Sequence, residues 1–503
     1  MTRLQRRTFL IGGLASAGAT ILSASSASAA LYPFTLGVAS GEPSADGFVL
    51  WTRLAPSPLN ADGLGGMSSA NVAVEWQVST DRYFTTLAAS GTFTATQSWG
   101  HSVHVELTGL LPGREYWYRF RAMGHISPVG RARTAPAVGT SPSLTMLFAS
   151  CSHYEAGYFT AYRRMAEENP DLILHLGDYI YEGGAGSTGV RTHQPSTEIS
   201  NLASYRVRHA LYKRDPDLQA AHAAAPWLVV WDDHEVENNY AGLIRNDTSP
   251  AGDFTARRAA AYKAYYEHMP LRAAQAPSGA NLQLYRRLRW GSLATFHMLD
   301  TRQYRDDQAC GDGTKLCPAA DDPARTLTGA TQESWLLNGM SQKLGTWDIL
   351  GQQVFFAQRL AAADGSKSMD SWDGYTANRG RIQNGWDAQG NRSTVVLTGD
   401  VHRSWASNLM QNYGTQNRII GTELVTTSIT SGGDGNATDN GLSNLNPHVK
   451  FYKNLRGYVR TVTTPTQMTV DFRALDRVTV RDYPVKTIKS YVIQAGNPGL
   501  QTP

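Results

Sequence analysis

The chain has 503 residues, 41% of them hydrophobic, with 46 Lys and Arg against 42 Asp and Glu for a formal charge of +4. This length suits two or three domains, and so small an excess with no polybasic tract argues against a nucleic-acid-binding protein. Past the N-terminus no run is long and apolar enough to span a bilayer.

Residues 1–29 have the form of a targeting segment. Arg3, Arg6 and Arg7 precede an apolar stretch from Phe9 to Leu22, and Ala27-Ser28-Ala29 offers a small-residue cleavage site. Arg6-Arg7 ahead of Thr8-Phe9-Leu10 is a twin-arginine signal. It predicts a secreted or periplasmic product, handed folded to the twin-arginine export machinery, as suits an enzyme that takes up metal first. Without this segment the formal charge falls to +1, because it holds three arginines and no acids.

Residues 31–138 read as an all-β module. Gly47–Thr52, Val72–Val78, Ser102–Leu107 and Glu115–Ala122 are short runs separated by Gly, Pro, Ser, Asp or Asn, the pattern of a β-sandwich. Leu110 to Tyr118 resembles the turn and tyrosine strand of fibronectin type III domains, where the tyrosine packs and does no chemistry. From Leu144 strands alternate with helices, and residues 144–490 are predicted to form one catalytic domain. Leu144–Ala149, a helix in Gly157–Glu168 and Leu172–Leu176 make a β-α-β unit with parallel strands. Tyr205–Ala225 and Thr255–Glu267 are predicted as single helices. Trp227–Trp231, Leu293–Leu299, Trp347–Leu350, Val395–Thr398 and Gln467–Phe472 are predicted strands. Gln308–Arg325 reads as a surface insertion in which Cys310 and Cys317 could pair, leaving Cys151 alone.

Four of these apolar runs end in metal-binding side chains. Leu144–Ala149 leads to Cys151 and His153, and Leu172–Leu176 to Asp178 and Tyr181. Trp227–Trp231 leads to Asp232, Asp233 and His234, and Val395–Thr398 to Asp400 and His402. Continuous apolar runs fit strands covered on both faces, and α/β sheets bind ligands beyond the carboxyl ends of their strands. One shared metal cluster is therefore expected. Cys151, Tyr181 and His402 are mixed S, O and N donors that suit Fe³⁺. Asp233, Asn238 and Asp400 are oxygen donors that suit Ca²⁺, and Asp178 can bridge the two ions. Such a pair clamps a phosphoryl oxygen and supports in-line displacement, with His234 as proton donor to the leaving group. His153 is assigned to catalysis, with a phosphate contact or a bracing role as alternatives. Arg302 could hold phosphate through its fork or serve a structural salt bridge. No Gly-x-Ser-x-Gly elbow, His-Glu-x-x-His pair or P-loop lysine points to another class.

Cys151-Ser152-His153, Gly177-Asp178-Tyr179-Ile180-Tyr181, Asp232 through Asn239 and Gly399-Asp400-Val401-His402, in this order, resemble the alkaline phosphatase D family of the metallophosphoesterase superfamily, which includes iron- and calcium-dependent phospholipases D. The resemblance spans the mature chain. It implies a four-layer α/β/β/α domain behind a small β-sandwich, Fe³⁺ with one or two Ca²⁺, and hydrolysis of phosphomonoesters or phosphodiesters by hydroxide delivered from the iron side. A phospholipase D acting on phospholipid head groups is the alternative, with Gly183–Gln194 or Gly432–Asn446 as a candidate lid. A non-catalytic binding protein is the remaining reading.

Overall fold

Leu144–Ala149, Leu172–Leu176 and Pro226–Val230 pair in parallel at the centre of a ten-stranded sheet. This computed structural model describes residues 31–245, 252–413, 418–437 and 444–503. The segment read as an export signal lies outside them, as does part of the Gly432–Asn446 loop. Nearly every residue of the three strands is buried, as runs interrupted only by Thr145 and His175 require. To one side the sheet continues antiparallel through Arg456–Thr463, Gln467–Leu475, Lys486–Gln494 and Asn497–Gln501. To the other, Val38–Ser44 joins Pro226–Val230 in parallel, followed by Gly47–Arg53 and Ser102–Glu106.

Thr394–Thr398 belongs to a second sheet of seven strands, between Trp347–Gly351 and Ile419–Val425. The four ligand-bearing strand ends therefore come from two sheets and not from one. The alternation of a strand explains how this sheet is covered on both faces. Val395 and Leu397 share a core with the first sheet. Val396, between them, packs with Leu336 and Met340 of the helix Gly329–Ser341 and with Ile382 and Trp386 of Thr376–Ala388. Burying each such aliphatic side chain contributes roughly 1.5–3 kcal/mol. The outer face of the first sheet carries the helices Thr160–Glu167, Leu202–Lys213, Pro216–Ala224 and Phe254–His268 through residues such as Tyr162, Leu211, Leu218 and Tyr262. The layering is α/β/β/α. The helix predicted over Tyr205–Ala225 is two: Pro216 opens the second at its first turn, where its missing N–H costs nothing, and Asp215 caps Asp217 N and Leu218 N at 2.9 and 3.2 Å.

In the N-terminal region Leu87–Ala95, Val72–Ser79, Glu115–Ala122 and Gly130–Arg133 form a separate small sheet. It encloses a core of Phe48, Leu50, Val74, Val78, Val103 and Phe120. The opposite face of this sandwich is built by Val38–Ser44, Gly47–Arg53 and Ser102–Glu106, so one of its sheets runs on into the parallel strands. Tyr116 is a packing corner whose hydroxyl accepts from Leu111 N at 3.0 Å. Cys310 and Cys317 form a disulfide and Cys151 is a buried free thiol.

Several histidines are sealed beneath the site. His175 is buried, its Nε2 3.0 Å from the Tyr162 hydroxyl, and burial lowers its pKa from 6.5 to about 3. The unfolded chain then binds a proton near pH 6.5 that the fold excludes, so this group destabilises the fold increasingly as pH falls below 6.5 and has no such effect above it. His175→Gln cannot take up that proton. Its stability relative to the wild type should therefore improve by about 1.4 kcal/mol between pH 7.5 and pH 5.5, read from urea unfolding at both values. A constant difference would contradict this account.

Candidate metal centre

Three of the four ligand-bearing strands, all but Pro226–Val230, end in a turn that is locally strained. Cys151 (φ 61°), Asp178 (φ 55°), Asp400 (φ 63°) and His402 (φ 54°) all occupy the left-handed region, which costs a non-glycine residue roughly 1–2 kcal/mol. Such strain persists only where the surroundings over-determine it. Cys151 N and Ser152 N donate to the carbonyls of Gly177 and Asp178 at 3.1 and 2.8 Å, and Gly399 N donates to Gln353 O at 2.8 Å. Gly177 has φ 106°, and a Cβ there would lie 2.4 Å from the Asp232 Cβ, so only glycine fits.

Two triads result. Ligand atoms of Cys151, Asp178 and His402 lie within 4.8 Å of one another, and so do those of Asp178, Asp233 and His234. Asp178 is common to both, and its Oδ1 is buried without a hydrogen-bond partner. The Tyr181 hydroxyl completes the first group: it donates to Asp178 Oδ2 at 3.0 Å, lies 3.1 Å from His402 Nε2 and accepts from Ser431 at 2.6 Å. In the second group Asp233 accepts from His234 N at 3.0 Å and Asn239 N at 2.7 Å. His234 Nδ1 is 2.7 Å from Glu182 Oε2, which orients the ring and leaves Nε2 as the working atom. Asn239 spends its side-chain amide on Asp312 at 2.6 Å, whereas the Asn238 side chain is exposed and its backbone N–H donates to Glu182 at 2.7 Å. Asp400 lies outside both triads, half-buried at its turn. The His153 ring sits 4.6 Å from that of Tyr181, with Nδ1 buried and unpartnered.

The donors fit a cation. Burial, then the Asp178 carboxylate, pushes the Cys151 thiol and the Tyr181 phenol well above their ordinary values. Burial, with neighbouring carboxylates, does the same to Asp178 and Asp400. Burial lowers His402 to about 3. For His234 burial is outweighed by Glu182, Asp233 and Asp178, which together raise it. Without positive charge this thiol, phenol and pair of carboxylates hold protons; a metal ion inverts that preference and deprotonates a coordinating thiol outright.

The expectation that Arg302 binds phosphate is corrected. Its guanidinium is fully buried, with Nε on Asp232 at 2.5 Å and Nη1 and Nη2 on Asp370 at 2.8 and 2.9 Å. The fork is spent on protein carboxylates, and Asp232 is its partner. Glu235 is a brace: its carboxylate accepts from Asp178 N, Tyr179 N and Asp232 N at 3.1, 2.5 and 2.8 Å. The Gly183–Gln194 loop is anchored to the body of the domain at several points. Glu155 accepts from Gly186 N and His193 N, both at 2.9 Å, and Arg208 donates to the carbonyls of Tyr181, Gly183 and Pro195. Glu182, Ser431 and Asp370 were missed in the sequence. Glu182 adjoins Tyr181, but nothing local marks its reach to His234.

Two facing sheets with ligands gathered beyond their strand ends define the metallophosphoesterase class. The comparisons agree. Residues 146–472 match the model of the PhoD-like phosphatase family, and residues 19–136 that of the PhoD-like phosphatase N-terminal domain. Alkaline phosphatase D of Bacillus subtilis (strain 168) is 50% identical over 485 residues, 93% of this chain and 82% of its own length. A solved structure of PhoD superposes with a TM-score of 0.90 at 50% identity, covering 94% of this chain and 92% of that one. A purple acid phosphatase from yellow lupin seeds shares the fold at a TM-score of 0.58 and 11% identity, over 91% of this chain and 74% of its own. The chain belongs to the PhoD-like phosphatase family and is a phosphoesterase.

Proposed function

We propose that the chain is an exported phosphoesterase acting on phosphomonoesters, phosphodiesters or both at an iron–calcium centre. Cys151, Asp178, Tyr181 and His402 would hold Fe³⁺, and Asp178, Asp233, Asn238 and Asp400 would hold Ca²⁺. The observation that carries the reading is a buried thiol and phenol meeting an imidazole around a carboxylate shared with a second triad. Thiolate and phenolate favour a ferric ion over a hard divalent one. When bound, such an ion pair supplies charge stabilisation for in-line displacement at phosphorus.

The chain's own residues supply the proton and the orientation. Glu182 holds His234 through Nδ1, so Nε2 donates its proton to the leaving alkoxide, a contribution of about 10²–10⁴-fold. Glu182, on Nδ1 at 2.7 Å, favours the protonated form of that imidazole. His153, against Tyr181, is placed to meet a non-bridging phosphate oxygen. No described helix is long and apolar enough to cross a membrane, and export by the twin-arginine route is part of the proposal.

Elemental analysis of the purified mature protein should give about one tightly held iron per chain, with calcium that chelators remove more readily. Zinc alone, or no transition metal, would sink the iron–calcium assignment. Rates on a phosphomonoester, a simple diester and phosphatidylcholine then separate the phosphatase reading from a phospholipase D.

A further inference from the structure

Beside the Asp400–His402 turn stand two arginines that the chemistry above does not use. Arg359 lies in the segment after Trp347–Gly351, and that segment is fixed along its backbone. Phe356 N and Ala357 N donate to Glu423 at 2.7 and 2.9 Å, Arg359 N to Asp373 at 2.8 Å and Leu360 N to Asn446 at 2.9 Å. The Arg359 side chain is held only by ring faces, 5.2 Å from Phe355 and 5.4 Å from Trp405. Arg403 follows His402 directly and is exposed. Among the described residues neither guanidinium donates a hydrogen bond or joins an ion pair, although Asp373, then Asp400 and Arg403, act on Arg359 electrostatically. A third donor is idle there: the indole N–H of Trp405 is buried without an acceptor. Trp405 is itself wedged between Phe355 at 5.7 Å and Tyr452 at 4.6 Å.

A guanidinium held in place on a rigid backbone, with its donors unspent, is arranged for an acceptor from outside. Its fork matches carboxylate and phosphate oxygens. The buried arginines Arg302 and Arg456 of the site region differ. Arg302 is consumed by Asp232 and Asp370, and Arg456 donates to His402 O at 2.8 Å and to Gly433 O at 2.9 Å. We propose that Arg359 and Arg403, backed by Phe355 and Trp405, form a subsite for a second anionic group, carboxylate or phosphate, carried by the alcohol portion of the ester. The inference rests on the phosphoesterase reading and adds substrate selection to it.

The test compares phenyl phosphate with its 3- and 4-carboxy derivatives and with phenylene bisphosphate, on the metal-loaded protein. The wild type should favour at least one anionic ester by roughly tenfold in kcat/KM, through KM, with a preference that shrinks as salt rises. The ratio should fall towards one in Arg403→Gln, whose side chain is exposed, and in Arg359→Gln, with folding of both checked by circular dichroism. The carboxylate and bisphosphate arms tell which anion the subsite takes. A wild-type ratio near one, or a ratio unmoved by both substitutions, overturns the subsite and leaves the phosphoesterase reading intact. No turnover of any of these esters overturns both.

Discussion

Replacing Asp178 by asparagine should lower kcat/KM for phosphate esters by more than roughly 10³-fold while leaving the fold intact. Asp178 is the one side chain common to both triads, and its Oδ1 has no protein partner. Losing one preorganised charge-stabilising group typically costs about 10²–10³-fold, and here one substitution removes a donor from each candidate metal group. The same change should not destabilise the metal-free protein. Burial already raises this carboxyl well above its ordinary value, so a neutral amide of the same shape relieves a desolvation cost. Activity, metal content and urea unfolding of Asp178→Asn should therefore separate, with the first two lost and the third unchanged or improved. Retained activity would remove Asp178 from the centre. A parallel loss of stability would make it a structural residue.

Arg302→Met should show the reverse pattern. The guanidinium sits fully buried among Asp232, Asp233 and Asp370, themselves nearly inaccessible. Removing one partner from a buried ionic cluster leaves uncompensated charge, at a cost of about 3–5 kcal/mol. Arg305 still reaches Asp370 at 2.5 Å, which leaves Asp232 and Asp233 as buried, uncompensated charges beside the candidate metal centre. Urea and thermal unfolding should both register the loss. Arg302→Lys should not restore it, because an ammonium cannot serve Asp232 and both oxygens of Asp370 together. KM for a small monoester should stay near the wild-type value in the fraction that remains folded, since Arg302 offers no free donor to substrate. A large rise in KM with normal stability would return Arg302 to phosphate binding.

The sequence made the strands of the centre legible because their signals are local. Leu144–Ala149 and Leu172–Leu176 are apolar at every buried position except His175, and glycine, cysteine or aspartate punctuates their ends. The seven-residue spacing of Cys310 and Cys317 foretold their bond. The break at Pro216 is equally local, with Asp215 as cap and proline at the first helical position. Other features have no local signature. Periodicity identifies Thr394–Thr398 as a buried strand but says nothing about which sheet it enters.

The sequence by itself determined which side chains end the buried strands, and thus the donor types a metal would meet. A run of apolar residues and the turn after it are properties of neighbouring positions. The tertiary structure alone decided that those ends converge from two sheets, that Glu182 orients His234, and that Glu235 braces the Asp178 and Asp232 turns. It also decided that Arg302 is consumed by Asp232 and Asp370, whereas Arg359 and Arg403 keep their donors. Apart from the Glu235–Asp232 contact, these are contacts through space between residues tens to hundreds of positions apart. A charged side chain is committed or free according to what packing brings within about 3 Å of it, and a sequence holds no record of that.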